Sequence, residues 1–213
     1  MNIDQLYKQA DEIHAAMVEK GFWDDNRPAW KTMMLIEGEL YEAIEGIRKG
    51  KKADLHRFQA NDTMNKSDEH FRAMFDGTLK GSTEMEISDT YIRVLDYIGR
   101  VRAVNYWVNK SDNNKLVGFS YYQRAFETRL RELKLNVSWE DVSNNQSLLC
   151  FIRMLAKESV PVGLYPTDTA LKTARLIHML DLLVVEMDFD LQLFIKIKSR
   201  YNKLRAYKHG KNF

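Results

Sequence analysis

An all-α fold is predicted, and three observations predict it. Apolar residues recur at helical spacing through most of the chain. Only three prolines and ten glycines punctuate 213 residues, too few for the turns of an all-β sandwich. No segment alternates convincingly as a strand does, and the best candidate, 159–165, contains both proline and glycine. At 45% hydrophobic and 29% charged, the composition is that of a globular chain with one core or one core plus an appendage.

The elements follow in order. Residues 2–20 place Ile3, Leu6, Tyr7, Ala10, Ile13, His14 and Met17 on one helical stripe. A connection over 21–28 ends at Pro28, a residue suited to open a helix. That helix carries Met33, Met34, Ile36, Leu40, Ile44 and Ile47, and runs to about Lys49, with Gly50 at its C′ position. Residues 51–81 are polar and interrupted, with short helices expected around 52–60 and 68–76. Ser82 caps the next helix imperfectly, because Met85 sits where the capping-box acid belongs and Glu86 comes one place late. Met85, Ile87, Ile92, Leu95 and Ile98 carry that helix to about Val108, and 109–115 is a turn-rich break. Helical patterns resume over 120–133 and over 139–157, the latter with Ser138 and Asp141 at N-cap spacing. Pro161, Gly163 and Pro166 mark a loop, after which Thr167 or Asp168 starts a helix through Leu182 and Val185. A last helix begins after Asp188 and ends near Arg205.

Charge is unevenly spread. Residues 191–213 contain no acid but seven Lys or Arg, so the remainder carries −5 against the whole chain's +2. A basic terminus on an acidic protein suits an anionic partner, and it equally suits a solvated helix end. The single cysteine, Cys150, lies in an apolar run and has no disulfide partner within the chain. The first residues lack the pattern of a signal peptide, and the longest apolar stretch, 176–187, is broken by His178, Asp181 and Glu186. A cytoplasmic protein without a membrane partner is expected.

Two motifs carry chemistry. Glu39-Leu-Tyr-Glu42 and Glu86-Ile-Ser-Asp89 each put two carboxylates one turn apart on a helix face flanked by apolar residues. If the two helices pack antiparallel, four acids converge. Each close pair then repels by roughly 1–4 kcal/mol, depending on the local dielectric. A divalent cation relieves that repulsion, and hard oxygen donors without clustered Cys or His favour Mg²⁺ or Mn²⁺ over zinc. The competing reading is a solvated acidic face, for Glu37, Glu45 and Glu84 make the neighbourhood acid-rich.

On the last helix Lys198, Asn202 and Arg205 share a face at i, i+4 and i+7. Lysine and arginine bind phosphate oxygens, and asparagine bonds a phosphate or a sugar hydroxyl. Tyr207 and Lys208 extend this surface and join the substrate-binding set. No P-loop is present, the five histidines lack metal-ligand spacing, and no nucleic-acid-binding motif occurs.

Four blocks in order resemble the MazG-like all-α nucleoside triphosphate pyrophosphohydrolases, relatives of the dimeric dUTPases. They are Glu19-Lys-Gly-Phe-Trp-Asp-Asp25, Leu35-Ile-Glu-Gly-Glu-Leu-Tyr-Glu-Ala-Ile-Glu-Gly-Ile-Arg-Lys-Gly50, Met85-Glu-Ile-Ser-Asp-Thr-Tyr-Ile-Arg-Val-Leu-Asp-Tyr-Ile-Gly99 and the basic segment 198–213. The resemblance implies a MazG-like helical bundle that cleaves nucleoside triphosphates, dNTPs or non-standard NTPs to monophosphate and pyrophosphate. It implies Glu39, Glu42, Glu86 and Asp89 as Mg²⁺ ligands, with Glu39 or Glu42 as the base. It implies Lys198, Asn202 and Arg205 as phosphate or sugar contacts. Trp23 is assigned to base stacking or, equally, to a hydrophobic staple. A homodimer or higher homo-oligomer follows from the same resemblance. The division expected is a catalytic core over 1–99 and 176–213, with 100–175 a helical insertion of unknown role. Glu42 and Glu86 lie 44 positions apart, long for this family, so 51–81 is an extended connection. The alternative function is a non-enzymatic helical protein that binds nucleic acid or nucleotides through its basic C-terminus.

Overall fold

The computed structural model describes residues 2–24, 29–111, 116–136 and 166–207. Among them are eight α-helices, one 3₁₀ turn and no strand. The helix expected over 139–157, the strand candidate 159–165, Pro28, Cys150 and Lys208 lie outside the described residues.

Helix α1 (Ile3–Glu19) opens with a reciprocal cap: Gln5 N donates to Asn2 Oδ1 at 2.9 Å and Asn2 N to Gln5 Oε1 at 3.2 Å. Helix α2 (Ala29–Arg48) stops two residues before Gly50, whose φ of +61° reverses the chain as a C′ glycine does. Helix α3 (Leu55–Ala60) begins later than its polar pattern suggests, because Asp54 caps it by accepting from Arg57 N. A 3₁₀ turn (Thr63–Asn65) leads to α4 (Asp68–Thr78), capped by Ser67. Helix α5 (Thr83–Ser111) has 29 residues and runs past the expected end near Val108. At its start Ser82 Oγ accepts from Met85 N at 3.3 Å, and the Glu84 carboxylate accepts from Ala53 N at 2.9 Å. Three more helices follow: α6 (Leu116–Asn136), α7 (Pro166–Glu186) and α8 (Leu191–Lys203), the last capped by Asp190.

Helix α5 is the axis of the fold. Helices α1 and α2 both pack antiparallel to it. On the α1 side Asp11 pairs with Arg102 and His14 with Asp96, both at 2.8 Å. On the α2 side Glu39 meets Arg93, while Thr83 N donates to the Lys51 carbonyl at 3.0 Å. Gly99 sets the closeness of α1 to α5, for a Cβ there would lie 2.4 Å from the Ala10 carbonyl oxygen. Helix α7 joins α5 through Tyr91 Oη, which donates to Asp181 at 2.9 Å, and α6 joins α7 through the Lys134–Asp181 ion pair.

One apolar cluster takes Leu6 from α1, Leu40 from α2, Leu95 from α5, Phe126 from α6 and Leu180 from α7. Burying such side chains stabilises by roughly 1.5–3 kcal/mol each before entropy is counted. Helix α5 runs through position 100 and α7 through position 176, the boundaries expected for the insertion, and α6 shares the core of the other helices.

A second cluster forms from Phe58, Phe71, Phe75, Leu79, Met85, Phe194 and Ile197. The long connection after α2 therefore has its own packed interior against α5 and α8. Arg200 fastens it: the guanidinium donates to the carbonyls of Met64 and Lys66, pairs with Asp68 at 3.1 Å and lies 4.3 Å over the Phe71 ring. No helix among the described residues is long and apolar enough to cross a membrane.

Candidate functional site

Antiparallel packing of α2 on α5 brings the two carboxylate pairs face to face. One carboxylate oxygen from each of Glu39, Glu42 and Glu86 lies within 4.8 Å of the others. Glu39, Glu86 and Asp89 are buried, and Glu42 is exposed. Two cations enter the cluster from its sides: Arg93 of α5 pairs with Glu39, and Lys198 of α8 pairs with Asp89. Glu39, Asp89 and Lys198 are largely shielded from solvent and Arg93 is partly exposed, so removing either cation would strand a buried carboxylate.

The two cations do not balance the cluster. Burial pushes the Glu86 carboxyl up to about 8, and the negative charge of Asp89 adds to this, with Lys198 opposing and Glu39 and Glu42 reinforcing. Asp89 is raised as well, by burial first, with Lys198 pulling the other way. At neutral pH the cluster holds on to a proton unless another positive charge arrives.

The acids line a cleft of about 530 Å³, within the size range of small-molecule sites. Seven residues expected from sequence share it: Glu39, Glu42, Glu86, Asp89, Lys198, Asn202 and Arg205. Lys20, the residue after α1, steadies the last of these by donating to the carbonyls of Lys203 and Arg205, both at 2.9 Å. Asn202 Oδ1 is buried without a hydrogen-bond partner among the described residues. It stands between the cleft and a second cavity of about 360 Å³, whose walls come from α1, α5 and α8.

Trp23 and Tyr207 sit elsewhere. The Trp23 side chain is buried, its indole Nε1 donating to Asp96 at 3.0 and 3.2 Å, edge-on to the His14 ring. Its neighbour Phe22 and its partner Asp96 line the cleft instead. Tyr207 donates to Asp24 and lays its ring over Gly21, where a Cβ would come within 2.2 Å, so it fastens the chain after α8 to the turn after α1.

Five charged residues of the cleft had no place in the sequence reading: Arg93, Asp96, Lys51, Lys80 and Asp76. Arg93 and Asp96 continue the Glu86–Asp89 stripe at i+7 and i+10, so the helical period contained that signal. Lys51, Lys80 and Asp76 come from the connection between α2 and α5, and no spacing rule places them. Comparison of the chain with family models, with curated proteins and with solved structures finds no match.

Proposed function

We propose that this protein is a divalent-cation-dependent pyrophosphohydrolase of nucleoside triphosphates, as its resemblance to the MazG-like enzymes implies. The observation that carries the reading is the convergence of the Glu39, Glu42 and Glu86 carboxylates within 4.8 Å, beside Asp89, in a cleft that also holds Lys198 and Arg205. Acids so placed repel one another, and the Glu86 carboxyl is raised by its burial first and by the neighbouring carboxylates after it. All-oxygen donors of this kind fit Mg²⁺ or Mn²⁺, and Glu39, Glu42, Glu86 and Asp89 would hold it. Bound there, the cation supplies Lewis-acid neutralisation of phosphate charge and lowers the pKa of its water.

The chain's own groups divide the remaining work. Lys198 and Arg205 bind and orient phosphate oxygens, Lys198 exchanging part of its hold on Asp89 for the substrate. Of the two α2 acids in the cluster, Glu42 has no ion-pair partner among the described residues, whereas Arg93 holds Glu39. Glu42 therefore takes the proton as water attacks the α-phosphorus. The new bond is from water oxygen to the α-phosphorus, and the bond that breaks is the α–β bridge. The bridge electrons leave with pyrophosphate, and nucleoside monophosphate remains. Phe22, Met17 and Ile92 give the cleft an apolar end for the nucleoside. A homodimer or higher homo-oligomer belongs to the same reading.

The test is release of pyrophosphate from nucleoside triphosphates with Mg²⁺ by the wild type and by the variants Glu42→Gln and Glu86→Gln. Turnover that survives in both folded variants refutes the assignment of these acids.

A further inference from the structure

The connection between α2 and α5 brings its own charge to the cleft. Lys51 follows α2 and Lys80 precedes α5, each beside a glycine of positive φ, Gly50 at +61° and Gly81 at +72°. Lys51 is held at its backbone: its N–H donates to the Gly46 carbonyl at 2.9 Å, and its own carbonyl accepts from Thr83 N at 3.0 Å. The side chain crosses Gly81, where a Cβ would sit 2.9 Å from the Lys51 ammonium. The missing side chain of Gly81 thus gives the ammonium its room.

The cations of the cleft differ in how far their charge is already used. Lys198 is paired with Asp89, Arg93 with Glu39, and Lys80 with Asp76 at 3.0 Å. Lys51 makes no ion pair among the described residues, although it lines the same cleft as the acids. It stands at the end of the cleft where α5 begins, near Glu86 in the first turn. Asp96, beside the apolar Phe22 and Ile92, lies ten residues further along α5, about 15 Å at 1.5 Å per residue.

We infer that Lys51, assisted by Lys80, forms the subsite for the pyrophosphoryl end of the substrate and for the pyrophosphate product. The inference rests on the hydrolase reading above and gives the cleft a direction. The scissile α-phosphate lies beside the acids, which would bind it only through a cation, the nucleoside points to Phe22 and Ile92, and the β- and γ-phosphates point to Lys51. A fixed ammonium there meets the negative charge that gathers on the leaving group. Lys80 contributes less, because Asp76 already shares its charge.

Calorimetric titration with inorganic pyrophosphate and Mg²⁺, and separately with nucleoside monophosphates, tests this without relying on turnover. Lys51→Gln, a change at an exposed side chain, is expected to weaken pyrophosphate binding about ten- to a hundredfold, the loss of one charge-assisted contact, and to leave monophosphate binding unchanged. Lys51→Arg retains most of the affinity, and Lys80→Gln loses less than Lys51→Gln. Pyrophosphate binding unaltered in Lys51→Gln, or pyrophosphate and monophosphate weakened alike, overturns the subsite, as does a wild type that does not bind pyrophosphate. The two readings fail separately. A wild type that binds pyrophosphate through Lys51 but cleaves no triphosphate keeps the subsite and removes the hydrolase. Cleavage with Lys51→Gln binding pyrophosphate normally does the reverse.

Discussion

Glu86→Gln should stabilise the protein at alkaline pH in the absence of divalent cations. In the fold the Glu86 carboxyl is pushed from 4.5 to about 8, whereas in the unfolded chain it titrates near its ordinary value. Between those two pH values the native state binds a proton that the unfolded state has released, so stability falls as pH rises through this window. At about 1.4 kcal/mol per pH unit, the loss from this group has a ceiling on the order of 5 kcal/mol, reached above pH 8. Glutamine resembles the protonated acid and does not titrate. Wild type and variant should therefore melt together near pH 4.5 and diverge up to pH 8, the variant then higher by at most about 10–20 °C at 2–4 °C per kcal/mol. The assay is thermal unfolding in EDTA from pH 4.5 to 9. Adding Mg²⁺ should raise the wild-type Tm at pH 8 and move the variant less, since a ligand stabilises the state that binds it. A difference between the two proteins that is constant with pH, or larger in acid than in base, refutes the electrostatic account of the cluster.

Three further outcomes follow from the same structure. Glu39→Gln and Asp89→Asn should each lower Mg²⁺-dependent pyrophosphate release at least about a hundredfold while circular dichroism stays that of the wild type. Trp23→Phe removes the indole donor from the buried Asp96 and should cost about 1–3 kcal/mol in urea denaturation, and a cost near zero would mean that the bond contributes nothing. Gly99→Ala places a methyl group 2.4 Å from the Ala10 carbonyl oxygen and should destabilise by about 3 kcal/mol or more, because α1 and α5 must separate. A neutral result there would show that the two helices have room to spare.

The helices were legible because their signals are local. The stripe on α1, the glycine after α2 and the acids three apart on α2 and α5 all depend on neighbours within one or two turns. The pairing of those acids also followed, once antiparallel packing was assumed. Partnerships made across the fold were less accessible. Trp23 reads from sequence as a base-stacking residue or a hydrophobic staple, but only the folded chain brings Asp96 and His14 against its ring. Arg200 belongs by sequence to the basic segment 191–213, and in the fold its donors are taken by the carbonyls of Met64 and Lys66. The polar segment after α2 conceals its core, since Phe58, Phe71 and Phe75 are spread too thinly to show one stripe and close only with Phe194 and Ile197 of α8. Lys51 and Lys80 were invisible for the same reason: thirty residues of connection return both to the cleft.

The measurement that bears most directly on the central claim is hydrolysis of a panel of canonical and modified NTPs and dNTPs with Mg²⁺, with EDTA controls and separate detection of pyrophosphate and orthophosphate. Pyrophosphate and nucleoside monophosphate should appear in equal amounts, and EDTA should abolish both. Orthophosphate as the primary product, or no turnover of any triphosphate by folded protein with Mg²⁺ or Mn²⁺, would contradict that claim.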